Sequence, residues 1–423
     1  MAAWMSRLAF LSAAVRSTFL QHVTETVGAR LLVMSLGFVI SVILSRVLGP
    51  EGRGLYAIAT TVGALGVQFG DLGQAASNTY RVARDRRELS PLLSNSLLIS
   101  AVLGGTGAVL AWLVFSARPE WAPVPGALLL LSLAWLPAGL AYRLLLQLVL
   151  GLQELRTYNL AEVFLKGLAA LLICGLALAG AATVDTAFGA NLAALLTGLV
   201  WLVWRLGRAG AQVARAEVSL LKDSISYGLR AYWIGLFEFI VMRSDLLLMR
   251  YVLGSEQAGY YAVAMSIGEV LYLLPSAVGT ILFPRLAAAS DPRQRWLLAR
   301  KATLATASVM CPLVAIAGLL VGPTITLIFG PVFAGAVPAF LWLAPGVILL
   351  SLRTVVMGYF ARLSMPPLMV AGLGVAAALS PALNLVLIPS AGIVGAAITW
   401  TLLQGVILAI GSAYIWKDRP WGS

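Results

Sequence analysis

Ten charged side chains stand inside long apolar runs of this 423-residue chain: Arg143, Lys166, Arg230, Arg243 and Arg353, together with Asp71, Glu162, Glu238, Asp245 and Glu269. In a bilayer each costs about 2.5–3.5 kcal/mol on insertion scales, so such residues persist where they meet water, a partner or a ligand. A guanidinium offers a planar fork of donors, stays ionised at any working pH and matches the geometry of phosphate or carboxylate. An intramembrane carboxylate can take up a proton or sodium ion in one state and release it in another, which makes Asp71, Glu238, Asp245 and Glu269 the candidates for ion coupling. Equal numbers of opposite charge can also neutralise one another as static pairs. Glu162 and Lys166, at i and i+4 on one helix face, are placed to do so. Arg243 and Asp245, at i and i+2, face differently and cannot satisfy each other. Arg230 is placed to snorkel to the interface.

The elements that carry these charges follow from composition. The chain is 60% hydrophobic and only 11% charged, with a mean hydropathy of +0.93, far from a soluble protein's average of about 25% charged residues. Apolar stretches of about 20 residues, each long enough to cross about 30 Å of hydrocarbon as a helix, tile nearly the whole sequence. Continuous runs such as Ala127 to Leu136 do not alternate, so the spans are helices and not barrel strands. The expectation is an all-α polytopic membrane protein of twelve transmembrane helices, the first two at 28–48 and 55–80. Residues 1–25, with Trp4, Leu8, Leu11, Val15 and Phe19 at helical spacing, read as an amphipathic lead-in on the membrane surface. Pro137, Pro275, Pro312, Pro345 and Pro381 mark expected kinks.

One stretch occurs twice. Leu48-Gly49-Pro50-Glu51-Gly52-Arg53-Gly54-Leu55-Tyr56-Ala57 returns as Leu253-Gly254-Ser255-Glu256-Gln257-Ala258-Gly259-Tyr260-Tyr261-Ala262, with Leu, Gly, Glu, Gly, Tyr and Ala in register 205 residues apart. The offset is almost half the chain, and Gly189-Ala190 and Gly395-Ala396 extend the register. Residues 26–212 and 213–423 are therefore expected to form two six-helix bundles, parallel repeats around a central cavity. Within the motif, Glu51 and Glu256 are expected to favour the starts of the following helices. Gly54 and Gly259 are expected to permit a tight turn there, with Gly49, Tyr56, Gly254 and Tyr261 as its structural frame.

Basic residues sort by side. Of 29 Lys and Arg, five lie within spans, and four, Arg46, Arg53, Arg118 and Arg250, fall on one face. The rest lie on the opposite face or at the termini, including Arg215, Arg362 and Arg419. This asymmetry puts both termini in the cytoplasm and accounts for the net charge of +12 without nucleic acid.

Leu-Gly-x-Glu-x-x-Gly-x-Tyr-Ala after the first span, Asp71-Leu72-Gly73, Gln147 to Gln153, Asn384-Leu385-Val386-Leu387-Ile388-Pro389 and Gly392-Ile393-Val394-Gly395-Ala396-Ala397 occur in that order. Together they resemble the polysaccharide-transport branch of the multidrug/oligosaccharidyl-lipid/polysaccharide exporter superfamily. The resemblance implies a flippase of the bacterial inner membrane. It would move a polyprenyl-pyrophosphate-linked oligosaccharide from the cytoplasmic to the outer leaflet by alternating access, for surface polysaccharide synthesis. It further implies membrane lipid as a partner, and polysaccharide polymerase or glycosyltransferase machinery beside it. A pyrophosphate headgroup needs cationic forks to leave water, which singles out Arg143, Arg243, Arg353 and Lys166. Peptidoglycan-precursor flippases, more distantly similar, line their cavity with arginines from the first spans, whereas Leu31 to Ser45 contains none. An ion-coupled exporter of small amphipathic or cationic compounds is the alternative within the superfamily.

An enzyme acting on such lipids, a glycan polymerase or glycosyltransferase, needs acidic or histidine groups on a sizeable outer loop. The outer connections here are short. Cys174 and Cys311 lie in apolar runs and read as buried thiols, and the single histidine, His22, precedes the first span. Neither a metal nor another cofactor is expected from them, and no Walker loop points to ATP.

Overall fold

Hydrocarbon offers backbone amides no water, so apolar runs fold as helices whose hydrogen bonds close internally. In a computed structural model of the chain, every regular element among the described residues is helical. The described residues are 2–213, 216–289, 291–361 and 366–417, with side chains from 24 onward except at 218, 284, 287 and 361. The side chains of lead-in residues 1–23, His22 among them, and Arg215, Arg362 and Arg419 of the charge count lie outside these.

The first half contains α1 (Ala2–Asp71), α2 (Gln74–Arg84), α3 (Leu89–Ile99), α4 (Gly105–Ala117), α5 (Gly126–Gly151), α6 (Leu155–Leu178) and α7 (Val184–Arg208). A linker leads to α8 (Val218–Val252), α9 (Ser255–Leu271), α10 (Leu273–Ala288), α11 (Pro292–Ile328), α12 (Val337–Gly358), α13 (Pro367–Ala391) and α14 (Ile393–Lys417). Among the described residues nine helical stretches are long and apolar enough to span a bilayer, or ten when α9 and α10, bent by 43° at Tyr272, count as one. The difference from the expected twelve lies in two places. The element α1 counts once although it is two helices that meet at a kink at Gly49, where the backbone turns out of helical geometry (φ 68°, ψ −176°), and α8, long enough to span, is dense in charge. Of the expected kink prolines, Pro275 follows the α9–α10 bend directly, whereas Pro137, Pro312, Pro345 and Pro381 sit inside helices that continue through them.

The structure corrects the reading of the repeated motif. The turns are made by Gly49 and by its counterpart Gly254 (φ 90°, ψ 177°), a region of backbone space open essentially to glycine alone. Gly54 and Gly259 lie one helical turn further in and make no turn. A Cβ at Gly54 would strike the carbonyl oxygen of Ser255, and a Cβ at Gly259 would strike that of Pro50. Pro50 and Ser255 are themselves motif counterparts, so the contact is reciprocal: backbone lies on backbone where α1 crosses α9. Glu256 stands in the first turn of α9 and accepts a hydrogen bond from the Tyr260 hydroxyl at 2.8 Å; Glu51 is exposed at the matching place.

A second crossing of the same kind lies nearer the linker. At the Asp71-Leu72-Gly73 motif the helix breaks, with Leu72 at φ 45° and Gly73 at φ 81°. Gly73 packs its backbone on that of Gly228 in α8, again with no room for a Cβ on either. Tyr80 stacks on Tyr227 with ring centroids 4.4 Å apart, and Arg81 reaches Asp223 at 3.7 Å. The linker is pinned beside this seam, since Gln212 donates to Ser90 and Asn95 exchanges two hydrogen bonds with the Glu217 backbone.

Between the crossings, Tyr56 to Ala59 and Tyr261 to Ala264 lie in one hydrophobic core that also takes residues of α6, α7, α12 and α14. Outward-facing leucines such as Leu178 and Leu319 remain more than four-fifths exposed, as befits a surface solvated by lipid. The two thiols are not buried: Cys174 is half-covered and Cys311 exposed.

Because a carbonyl cannot yield as a side chain can, Gly54→Ala is expected to destabilise the protein by at least the cost of overpacking, about 1–3 kcal/mol. Gly175→Ala, with open space around it, is expected to be neutral or slightly stabilising. Thermal unfolding of the two variants in detergent checks the contrast.

Candidate functional site

A polar concavity lies where the two halves meet, a cavity of about 400 Å³ lined by α1 on both sides of Gly49 and by α6, α7, α8 and α9. Three cations reach it, Arg53, Lys166 and Arg243, with two acids, Asp245 and Glu269, and the polar side chains of Ser41, Asn191 and Ser266.

Arg53 was placed by the sequence in an outer connection, and the structure moves it to this cavity. Gly49 ends one helix segment and Pro50 opens the next, its missing N–H costing nothing in a first turn. Arg53 then falls one turn inside. Its guanidinium is 8% exposed and donates to Ser41 Oγ at 3.1 Å and to Ser266 Oγ of the other half at 3.4 Å. These two hydroxyls are 2.8 Å apart. Arg53 Nε is buried with no acceptor. The Gly-Pro pair was the sequence signal that would have found it.

Lys166 also lines the cavity. The expected Glu162–Lys166 pair does not form: no ion pair within 4 Å joins them among the described residues. Glu162 instead takes the hydroxyl of Tyr142 on α5 at 3.5 Å. The short step to the neighbouring helix satisfies the carboxylate, and the long lysine stem extends toward the open space.

Three further cations, Arg243, Arg143 and Arg353, are each held by a carboxylate. Arg243 meets Glu269 at 3.2 Å on the cavity wall, with both side chains about half exposed. Arg143 binds Asp71 at 2.9 Å and Gln68 at 3.1 Å. Asp71 also accepts the Ala75 amide at 2.9 Å, so it caps α2 where the helix restarts after the Leu72–Gly73 break. Arg353 is 7% exposed and grips Glu238 with both guanidinium nitrogens, one of them at 3.0 Å. Neither Arg143 nor Arg353 lines the central cavity, so the four residues singled out for a headgroup are not brought together. Asp245 lies 3% exposed, with the Tyr261 hydroxyl on one oxygen and the Leu246 amide 2.7 Å from the other. Tyr56, the motif counterpart of Tyr261, packs edge-on against Phe188 and has Asn191 as its polar partner. Arg230 borders an outer groove with Trp233 and Phe237. Among the described residues no group of three or more His, Cys, Asp or Glu could hold a metal ion.

Cations on a wet wall between two halves can bind and release an anion; buried bidentate pairs hold helices together. The geometry therefore divides the charges into a set on the cavity wall, Arg53, Lys166 and Arg243, and a set paired away from it, Arg143–Asp71 and Arg353–Glu238.

Comparisons with known proteins bear on what the cavity serves. The sequence model of a family described as polysaccharide biosynthesis protein matches residues 43–338. A Shigella flexneri protein named as an O-antigen transporter is 22% identical over 316 residues, 70% of this chain and 72% of its own. Among solved structures, the lipid II flippase MurJ in an inward closed conformation aligns with a TM-score of 0.73 at 10% identity, over 92% of this chain and 86% of that one. An inward-facing multidrug resistance MATE family transporter of the MOP superfamily aligns with a TM-score of 0.68 at 16% identity, over 92% and 96%. The two structures share the fold.

Asp71→Ala removes both the helix cap and the partner of Arg143, whereas Asp71→Asn keeps an acceptor for the Ala75 amide. A lost cap costs about 1 kcal/mol. Asp71→Ala is therefore expected to lower the unfolding temperature in detergent clearly more than Asp71→Asn.

Proposed function

Given that the chain belongs to the polysaccharide biosynthesis protein family, we propose that it flips a polyprenyl-pyrophosphate-linked oligosaccharide from the cytoplasmic to the outer leaflet of a bacterial inner membrane. Transport proceeds by alternating access and serves surface polysaccharide assembly. The observation that carries this reading is the central cavity, where among the described residues Arg53 and Lys166 have no carboxylate within 4 Å while both halves contribute to the wall. A pyrophosphate leaving water needs charge-assisted donors that are not already neutralised. Arg53 and Lys166 supply them, and Arg243 joins when the headgroup displaces Glu269. The first shell is thus Arg53, Lys166 and Arg243, replacing Arg143 and Arg353 of the sequence reading.

The architecture that suits this task has twelve spans. Splitting α1 at Gly49 and admitting the charged α8 takes the ten stretches to twelve, six in residues 26–212 and six in 213–423, arranged as parallel repeats with both termini cytoplasmic. The two glycine crossings then close the cavity at opposite ends, and opening one while the other stays shut exposes the headgroup to each leaflet in turn. Membrane lipid and the glycan-lipid are the partners, with a polymerase or glycosyltransferase supplying or consuming the glycan.

A second reading, an ion-coupled exporter of small amphipathic or cationic compounds, draws on Asp245 and Glu269 in the same cavity. Asp245 is already satisfied by Tyr261 and Leu246, and cations outnumber acids on the wall, which favours an anionic substrate.

In liposomes, the purified protein is expected to move a labelled polyprenyl-pyrophosphate oligosaccharide between leaflets. Each hydrogen bond to a charged group contributes about 1.5–3 kcal/mol, so Arg53→Gln and Lys166→Gln should each weaken substrate binding roughly tenfold or more. Efflux of cationic dyes without glycan movement would favour the second reading.

A further inference from the structure

Three further spaces lead away from the central cavity through the second half, and consecutive members share lining residues. The first, about 260 Å³, shares Met242, Arg243, Met265 and Glu269 with the centre. The second, about 230 Å³, shares only Glu238 and Arg353 with the first. The third is an open groove on the outer surface of α8 and α13, bordered by Arg230 and joined to the second at Val370. The bidentate Glu238–Arg353 pair is therefore the wall between a branch of the central cavity and a branch that opens near the linker end of the molecule. The first two spaces are too small for a glycan and suit water.

We propose that Glu238 is a proton-exchanging site, and that its pair with Arg353 is the plug of a proton route through the second half, separate from the path of the substrate. The proposal rests on the transporter reading above and adds to it the coupling residue. Glu238 takes a proton from hydronium in one space, leaving water; one O–H bond breaks and one forms. The neutral acid no longer neutralises Arg353, so the pair opens and joins the two spaces. The proton then passes to water on the other side, and the carboxylate recaptures the guanidinium.

Every other intramembrane acid has a different occupation. Asp71 caps α2 and holds Arg143; Asp245 is sealed by Tyr261 and Leu246; Glu162 faces Tyr142; Glu269 sits on the substrate wall. Glu238 and Glu269 each border two spaces, but only at Glu238 do the acid and its own arginine, Arg353, make up the whole of the shared wall. The groups that face it are few. From α12 comes Arg353, with Thr354 bonded to the Tyr272 hydroxyl at 2.8 Å. From α9 comes Glu269, held by Arg243 of α8 itself. The helix α1 brings Asp71 and Arg53, each engaged as described. The helix α13 has no ionisable side chain, and Tyr414 and Lys417 of α14 lie beyond Ile407, its contribution to the second space. A metal ion needs several oxygen ligands, and here it would meet one carboxylate and a guanidinium, so the chemistry is that of a proton.

The test has two arms. Infrared difference spectra of the purified protein, recorded as pH is lowered, should show a carboxylic acid carbonyl band that is missing from Glu238→Gln, with circular dichroism confirming that the variant is folded. Identical spectra in the two proteins overturn the proposal, whatever the substrate. In liposomes, a pH gradient should change the flipping rate of a labelled polyprenyl-pyrophosphate oligosaccharide in the parent protein and leave the residual rate of Glu238→Gln unaltered. A gradient response that survives in Glu238→Gln overturns the coupling role. Absence of flipping by the parent protein, with the infrared band present and dependent on Glu238, would count against the flippase reading and leave the proton site standing.

Discussion

Backbone-on-backbone contact between the two halves is the constraint on which the rest depends. Helices can approach this closely only where both lack side chains, and the chain meets that condition twice, at Gly54 with Gly259 and at Gly73 with Gly228. The first contact is unchanged when the two motif copies are exchanged, because Ser255 does to Gly54 what Pro50 does to Gly259. The second has no such partner symmetry and is dressed with groups that water and charge can separate, a tyrosine stack and an exposed ion pair. A bundle held at two narrow crossings must leave space between them, and that space is the cavity.

Charge placement follows from the same geometry. An arginine beside a packed helix interface has to be neutralised locally, because the surrounding hydrocarbon does not screen it; hence Arg143 with Asp71 and Arg353 with Glu238, each joined within its own half. Between the halves the walls are wet, and a cation there can go without a carboxylate. Arg53 rests on two serine hydroxyls, one from each half, a neutral arrangement that an arriving phosphate could replace with a stronger one. The paired arginines maintain the bundles and the unpaired ones are available to a ligand.

Much of this was legible in the sequence. Apolar runs gave the helical class, and the 205-residue repeat located the two glycine turns whose backbone angles now match. The intramembrane charges stood out in the sequence as residues that need a reason. Their partners were not, because a pairing across helices depends on rotation and depth that period alone does not fix: Arg243 found Glu269 on α9, and Glu162 found Tyr142 on α5. Arg53 was misplaced for a local reason. The second span begins at Pro50 and not at 55, and that shift of about one turn carries an arginine from the membrane surface into the cavity. Gly54 and Gly259 were read as turn residues because glycine at a helix start commonly is one; only the packing of a second helix reveals that the missing side chain matters more than the backbone freedom.

The account stands or falls on whether the two crossings open in turn around the cavity. With Cys174 and Cys311 replaced by serine, spin labels at the exposed positions 51 and 256 report on one crossing, and labels at 84 and 226 on the other. Distances measured by pulsed electron resonance, with and without a polyprenyl-pyrophosphate oligosaccharide, should show one pair separating while the other stays close or closes further. Two distances that never change, or that lengthen together, would contradict it.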